Sequence, residues 1–215
     1  VLGKEREEEK RIVISKESGA RRWTSQGEVN DLLTQYQSGQ YEVAEKLAIS
    51  MTQRHPNHQF AWKVLGAVLG TSGRLHDAVV ANQKAVALAP NDVEAHSNLG
   101  TTLKDLGRLE DAEASFRHAI TLKPDYAEAH SNLGVAIQDL GRLEEAEASY
   151  RQAIALKPDL AEAHSNLGTT LKDLGRLEEA EANYRQAITL KPDYAQAHSN
   201  LGTTLKDLGR LEEAE

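Results

Sequence analysis

The 215-residue sequence contains no cysteine, only 5% aromatic residues and five prolines. Without cysteine it has no disulfide framework, no thiolate zinc site and no cysteine nucleophile, which favours a reducing, cytoplasmic compartment. No apolar run approaches the ~18 residues that a membrane-spanning helix needs. The longest apolar run near the start, Ile12-Val13-Ile14, is too short for a signal-peptide core. We therefore expect no membrane association.

The five prolines are evenly spaced along the chain. Each follows the previous one by 34 residues, at Pro56, Pro90, Pro124, Pro158 and Pro192. The surrounding residues repeat with the same period, and residues 125–158 differ from residues 159–192 at only seven positions. A fixed period of this length is typical of a solenoid whose repeating unit is a pair of helices.

One repeat, residues 91–124, has the pattern of two amphipathic helices. Its first apolar stripe is Ala95, Leu99, Leu103 and Leu106, and its second is Leu109, Ala112, Phe116, Ala119 and Ile120. Gly107 is suited to end the first helix, and Pro124 cannot continue the second. We expect helices over about 25–37, 41–54, 58–71, 75–88, 92–106 and 109–122, then every 34 residues, with boundaries uncertain by about two residues.

Two further features concern how each helix pair is built. The spacing of Asn91 and Glu94 predicts a capping box, repeated at Asp125 with Glu128 and at Asp159 with Glu162. Gly100 and Ala112 predict a close approach of the two helices, because larger side chains there would strain the packing. Since one pair cannot bury both apolar faces, stacked copies are needed for stability.

This unit resembles the tetratricopeptide repeat. The matching positions are His96, Leu99, Gly100, Leu103, Ala112, Phe116, Ala119 and Pro124. The motif HSNLG is also similar to the repeats of O-linked N-acetylglucosamine transferases. The resemblance implies an all-α solenoid of stacked antiparallel helix pairs that forms a right-handed superhelix.

The repeat pattern divides the sequence into an extension and an array. Residues 1–24 lie outside the pattern and are interpreted as an N-terminal extension or linker. Residues 25–56 keep the period only weakly and are interpreted as an atypical capping repeat. The sequence stops within a second helix, which suggests a piece of a longer protein. The array thus comprises residues 25–56, 57–90, 91–124, 125–158, 159–192 and a truncated repeat, 193–215.

Charge and composition argue against several kinds of site. The net charge of −8 argues against a nucleic-acid partner, which needs a basic stripe. The repeated histidines His96, His130, His164 and His198 are expected to be core or half-buried residues rather than metal ligands. No nucleophile or second carboxylate accompanies the repeated aspartates, so we predict no catalytic residue, no metal and no cofactor.

A polar row remains on the first helix of each repeat. The tetratricopeptide resemblance implies that this helix lines a concave groove. The transferase resemblance implies that a row of asparagines there holds the backbone of an extended peptide. The candidate groove residues are Asn98, Asn132, Asn166, Asn200, Ser97, Ser131, Ser165, Ser199, Thr101, Thr169, Lys104, Lys172, Lys206, Asp105, Asp139 and Asp173. The alternative is that these side chains are only solvated or contact neighbouring helices.

Three functions are compatible with this sequence. The first is a non-catalytic scaffold that binds extended peptide segments of other proteins in the groove. The second is the substrate-recruiting arm of a larger enzyme, such as a glycosyltransferase or sulfotransferase. The third is self-assembly through solenoid ends, where Leu201, Leu205 and Leu208 are expected to be poorly covered.

Overall fold

The structure, a computed structural model, describes residues 26–210 and residue 212, and its regular secondary structure there is helical, without strands. The extension 1–24 and most of the sequence after Arg210 lie outside these residues. The predicted all-α fold is confirmed, and the helix boundaries agree within two residues. The helices are α1 (26–37), α2 (Tyr41–Arg54), α3 (Gln59–Thr71), α4 (Leu75–Leu88), α5 (Val93–Asp105), α6 (Leu109–Leu122), α7 (Ala127–Asp139), α8 (Leu143–Leu156), α9 (Ala161–Asp173), α10 (Leu177–Leu190) and α11 (Ala195–Asp207).

These helices belong to two compact units, divided between Leu88 and Ala89. Unit 1 contains α1 to α4, and unit 2 contains α5 to α11. Within unit 2 each helix contacts the next one along the chain, and each first helix of a repeat also contacts the first helix of the following repeat. This is the stacking that the repeat pattern predicts, while the handedness of a superhelix stays a prediction.

The glycine that follows each first helix ends it as expected. Gly107 has a φ of +78°, in the left-handed region. Its N–H donates to the carbonyl of Lys104 at 2.8 Å, and the N–H of Arg108 donates to the carbonyl of Leu103 at 2.9 Å. This pair of bonds is the Schellman motif, which satisfies carbonyl groups that the helix end would leave without partners.

The predicted capping boxes are wrong by one residue. The N-cap of α5 is Asp92 rather than Asn91, and its carboxylate accepts from the N–H of Ala95 at 3.0 Å. In the next two repeats the N-cap is Tyr126 or Leu160, neither of which makes a side-chain cap bond. These two helices therefore start without a side-chain cap. Their stability does not require one, since most of the stability of a helix in a folded protein comes from tertiary packing.

Each helix pair of unit 2 is held together by a contact between glycine and an aromatic ring. A Cβ atom added at Gly100 would lie 2.7 Å from Cε1 of Phe116, and one at Gly134 would lie 2.7 Å from Cε1 of Tyr150. Both rings are fully buried. The close approach predicted at Gly100 is therefore confirmed, but the residue that meets Gly100 is Phe116 rather than Ala112. The ring of the second helix fills the space that the missing side chain leaves.

The first repeat of unit 1 has different side chains at the glycine and aromatic positions. In its first repeat the glycine position is occupied by Leu32 and the aromatic position by Ala48, and both residues are completely buried in one apolar cluster. The sizes of the two side chains are thus exchanged while the space is still filled. Gln35 stands where later repeats have Leu or Ile, and its buried Oε1 has no hydrogen-bond partner among the described residues. These departures fit the interpretation of residues 25–56 as an atypical repeat.

We predict that Gly134→Ala destabilises the protein by about 1–3 kcal/mol, because the new methyl group would overlap the ring of Tyr150. Gly70→Ala is the matched control, since Gly70 also lies in a first helix but has open space where a Cβ would stand. That control should gain up to about 1 kcal/mol from helix propensity. Urea unfolding followed by circular dichroism measures both, and equal effects of the two substitutions would contradict the packing argument.

Candidate functional site

The first helices of unit 2 lie closer together than the second helices. Some Cα atoms of α5 and α7, of α7 and α9, and of α9 and α11 approach within 8 Å, whereas, among the described residues, those of α6 and α8 or of α8 and α10 do not. A stack with this asymmetry curves toward its first helices. We call the side of α5, α7, α9 and α11 that carries Asn98, Asn132, Asn166 and Asn200 the inner face, and these four asparagines the amide row.

The candidate groove residues differ in how deeply their side chains are buried. All four members of the amide row are half-buried, as are Thr101 and Thr169. By contrast, the candidate serines of the first three repeats of unit 2 are buried, so their hydroxyl groups are not offered to a ligand on the inner face. Among the four serines, Ser199 alone is exposed. The buried serines are Ser97, Ser131 and Ser165.

The charged candidates differ in whether they already have a partner. Lys104 forms an ion pair with Asp105 at 3.1 Å, and Lys172 forms one with Asp207 at 3.3 Å. Asp139 and Asp173 are exposed and make no ion pair with any residue in the described ranges, and Lys206 is likewise exposed. The lysines of the inner face are therefore partly neutralised, while two of its carboxylates are not.

Side chains at and beneath the inner face are connected by hydrogen bonds, some of which join one repeat to the next. The side chain of Gln138 accepts from the hydroxyl of Tyr150 at 3.0 Å and from that of Thr170 at 3.0 Å. Burial raises the pKa of the Tyr150 hydroxyl, which therefore keeps its proton and donates. Between the next two repeats, Asn200 Nδ2 donates to Thr169 Oγ1 at 3.3 Å. Sequence reasoning missed these bonds, although Gln138 was visible as a departure from Lys104, Lys172 and Lys206 in the other repeats of unit 2.

The repeated histidines have a structural role that the sequence also concealed. In every case Nε2 is within hydrogen-bond distance of the carbonyl of the proline six residues earlier, at 2.8 Å for His96 and 3.1 Å for His164. Trp62 makes the same bond to Pro56 with its indole N–H, at 2.8 Å. His can thus replace Trp because both rings present an N–H to this carbonyl. Burial lowers the pKa of His96, which favours its neutral form.

The outer side of unit 2, which is the side formed by α6, α8 and α10, carries a repeating network of ion pairs. Glu147 accepts from Arg151 Nε at 2.9 Å within its own helix and from Arg176 Nη1 at 2.8 Å in the next repeat. Burial raises the pKa of the Glu147 carboxyl, but the hydrogen bonds and charges of the two arginines outweigh burial, and the pKa lies below its ordinary value. Glu113 is held in the same way by Arg142 and Arg117. The network links successive repeats and leaves the inner face separate from it.

Nothing in the described residues assembles a metal centre or a membrane span. Across residues 26–210, no group of three or more His, Cys, Asp or Glu side chains is arranged to hold a metal ion. Within the same residues, no helix is both long and apolar enough to cross a bilayer.

These features define a solenoid built from 34-residue helix pairs, and comparison with known proteins identifies its family. Profiles described as tetratricopeptide repeat match residues 97–161 and 149–182, and one described as TPR repeat matches residues 168–209. The crystal structure of MamA is 30% identical, with a TM-score of 0.63, over 70% of this chain and 88% of that one. The chain belongs to the tetratricopeptide repeat family.

Two other solved structures are similar over most of their length. A thermophilic TPR protein of Thermus thermophilus is 26% identical, with a TM-score of 0.68, over 84% of this chain and 98% of that one. YrrB, described as a TPR protein with an unusual peptide-binding site, is 20% identical, with a TM-score of 0.61, over 78% of this chain and 86% of that one. No curated protein matches the sequence.

We predict that Glu147→Gln lowers the free energy of unfolding by about 0.5–1 kcal/mol at neutral pH, because the charge that holds both arginines is lost. Glu147 has a lowered pKa in the folded state, so its stabilisation is complete above the unfolded pKa of about 4.3 and is lost as pH falls through the folded pKa. The difference between parent and variant should therefore shrink below pH ~4.

Urea unfolding at pH 7 and pH 3 measures this difference. The matched control is Glu144→Gln, because Glu144 is an exposed residue of the same helix that forms no ion pair with the described residues. A difference for Glu147→Gln that is the same at both pH values would contradict the assignment.

Proposed function

We propose that this chain is a protein-interaction scaffold whose inner face binds extended peptide segments of partner proteins. The observation that supports this proposal is the amide row: a half-buried asparagine recurs at the same position of four successive first helices. An asparagine side chain has one acceptor and two donor positions, so it can pair with both the C=O and the N–H of a peptide unit. Such pairing holds a peptide without reading its sequence.

The spacing of the row suits an extended ligand. Helices in contact lie about 8–10 Å apart, so successive amides should stand about that far apart along the stack. A polyproline II segment rises about 3.1 Å per residue and has three residues per turn, which gives a repeat of about 9 Å. Every third residue of such a peptide would therefore present the same backbone groups to successive asparagines.

The family relationship supports binding rather than chemistry. Tetratricopeptide repeats mediate protein–protein interaction, and the similar fold of YrrB is described with a peptide-binding site. The resemblance of HSNLG to transferase repeats is the origin of the amide-row hypothesis, and it also keeps the recruiting-arm alternative open. Self-assembly gains less support, because Leu205 is only 2% exposed and Leu201 and Leu208 are half-buried.

We predict that replacing all four asparagines of the amide row by Ala weakens peptide binding by about 2–4 kcal/mol, or roughly 30- to 1000-fold, whereas one replacement has a modest effect. The variant should still fold, because the apolar stripes are untouched. Peptides selected from a random 12-residue display library on the parent chain provide the ligands, and fluorescence anisotropy measures their affinities.

The control removes amides from the opposite side of the stack. Gln152→Ala combined with Gln186→Ala changes two exposed amides of α8 and α10 and should leave affinity unchanged. If the quadruple variant folds and binds as tightly as the parent, the amide row is not the contact surface.

A further inference from the structure

The four amides of the row are not equivalent. The side chain of Asn200 is fixed at both ends: Gln196 Nε2 donates to its Oδ1 at 2.9 Å, and its own Nδ2 donates to Thr169 Oγ1 at 3.3 Å. Thr169 is in turn oriented, since it accepts from the hydroxyl of Tyr184 at 3.1 Å. We call Gln196, Asn200 and Thr169 the amide lock. The lock uses one lone pair and one N–H of the Asn200 amide and fixes its orientation, so this amide no longer turns freely to pair with a ligand.

The asparagines of the two preceding repeats have no such lock. Neither Asn132 nor Asn166 makes a side-chain hydrogen bond with the residues that the structure describes, while Asn98 is not among these uncommitted amides. The position of Gln196 is occupied by Glu128 and Glu162, which have no proton to donate and are paired with Lys157 and Lys191 at 2.8 and 3.3 Å.

Asn166 also lacks the hydroxyl partner that Asn200 has in Thr169, because the equivalent residue is Val135. Val135 stands where the preceding and following repeats have Thr101 and Thr169, and it has no hydroxyl to accept from the amide of the next repeat. It is half-buried on the inner face, so part of its isopropyl group is accessible between the levels of Asn132 and Asn166. The same helix has Gln138 in place of lysine, which leaves α7 without a cation on this face.

We infer that the peptide-binding part of the inner face is centred on α7 and α9, where Asn132 and Asn166 pair with the peptide backbone and Val135 contacts an aliphatic side chain of the peptide. This inference rests on the proposed function and names its ligand: an extended segment with Val, Ile or Leu at the position over Val135. Asn200 contributes little, because the amide lock holds it.

Charge complementarity limits the ligand further. Asp139 and Asp173 follow the two uncommitted amides on the same helices, are exposed, and make no ion pair within the described part of the chain. Lys172, the lysine of α9, forms an ion pair with Asp207 at 3.3 Å and donates to the hydroxyl oxygen of Thr203 at 3.2 Å. An acidic peptide side chain at this place would face carboxylates without a free cation, so the segment bound here is neutral or basic.

The test uses three synthetic probes and the whole chain. The probes are capped dodecapeptides of alternating Gly and Ser with Val, Ser or Glu at one central position. Titration is followed by the side-chain amide signals of the asparagines in two-dimensional ¹⁵N NMR. The signals of Asn132 and Asn166 should shift more than that of Asn200, and the Val peptide should bind about five- to tenfold more tightly than the Ser peptide. The Glu peptide should bind most weakly.

Two variants test the amide lock: one builds it around Asn166, and the other removes it from Asn200. Val135→Thr with Glu162→Gln rebuilds it around Asn166 and should weaken binding of the Val peptide about tenfold. Gln196→Glu removes the donor to Asn200, whose amide signal should then respond to the peptide. Without any peptide, the amide protons of Asn200 should exchange with water more slowly than those of Asn166 in the parent, which tests the lock independently of binding.

The outcomes separate the two proposals. Equal shifts of Asn166 and Asn200, or equal binding of the Val and Ser peptides, would overturn the inference and leave the proposed function standing. No shift of any inner-face amide at millimolar peptide, or shifts confined to Gln152 and Gln186 on the outer side, would overturn both.

Discussion

The close contact between a glycine and an aromatic ring is the constraint on which each of the three helix pairs described in unit 2 depends. Gly100, Gly134 and Gly168 each leave a space that the ring of the second helix fills. Because the ring is fixed against the first helix, the register between the two helices is fixed. This register also determines which side of the first helix faces away from the second helix. The amide row is a consequence: the same position faces the same way in each copy.

Much of the fold follows from the sequence because it rests on periodicity. The apolar stripes, Gly107 and the prolines predict each helix to within two residues, and Gly100 predicts the close approach. The N-cap prediction failed for α5 because Asn91 and Asp92 are both suitable residues, and only the backbone geometry decides between them. It failed for α7 and α9 because the N-cap residues of these helices are Tyr126 and Leu160, which have no capping side chain. The exchange of sizes between Leu32 and Ala48 was also hidden, since the pattern of the later repeats expects a small residue at position 32 and a ring at position 48.

The candidate site was predictable only as a row of positions. Its location on the first helices comes from the family resemblance, and its residues recur with the period. Which members are available depends on individual bonds, such as that of Asn200 with Thr169, and a one-dimensional pattern does not contain side-chain rotamers. The departures from the repeat carry this information: Val135, Gln138 and Gln196 differ from their counterparts, and each changes a hydrogen bond of the inner face. Near-identical repeats can therefore present unequal sites.

The central claim is that an extended peptide lies along the inner face with its backbone paired to asparagine amides. A crystal structure of the chain with a bound display-selected peptide tests it most directly. The account predicts an extended backbone across α7 and α9, with peptide N–H and C=O groups within hydrogen-bond distance of Asn132 and Asn166. A peptide bound to the outer side along α6, α8 and α10, or one on the inner face that contacts neither asparagine, would contradict it.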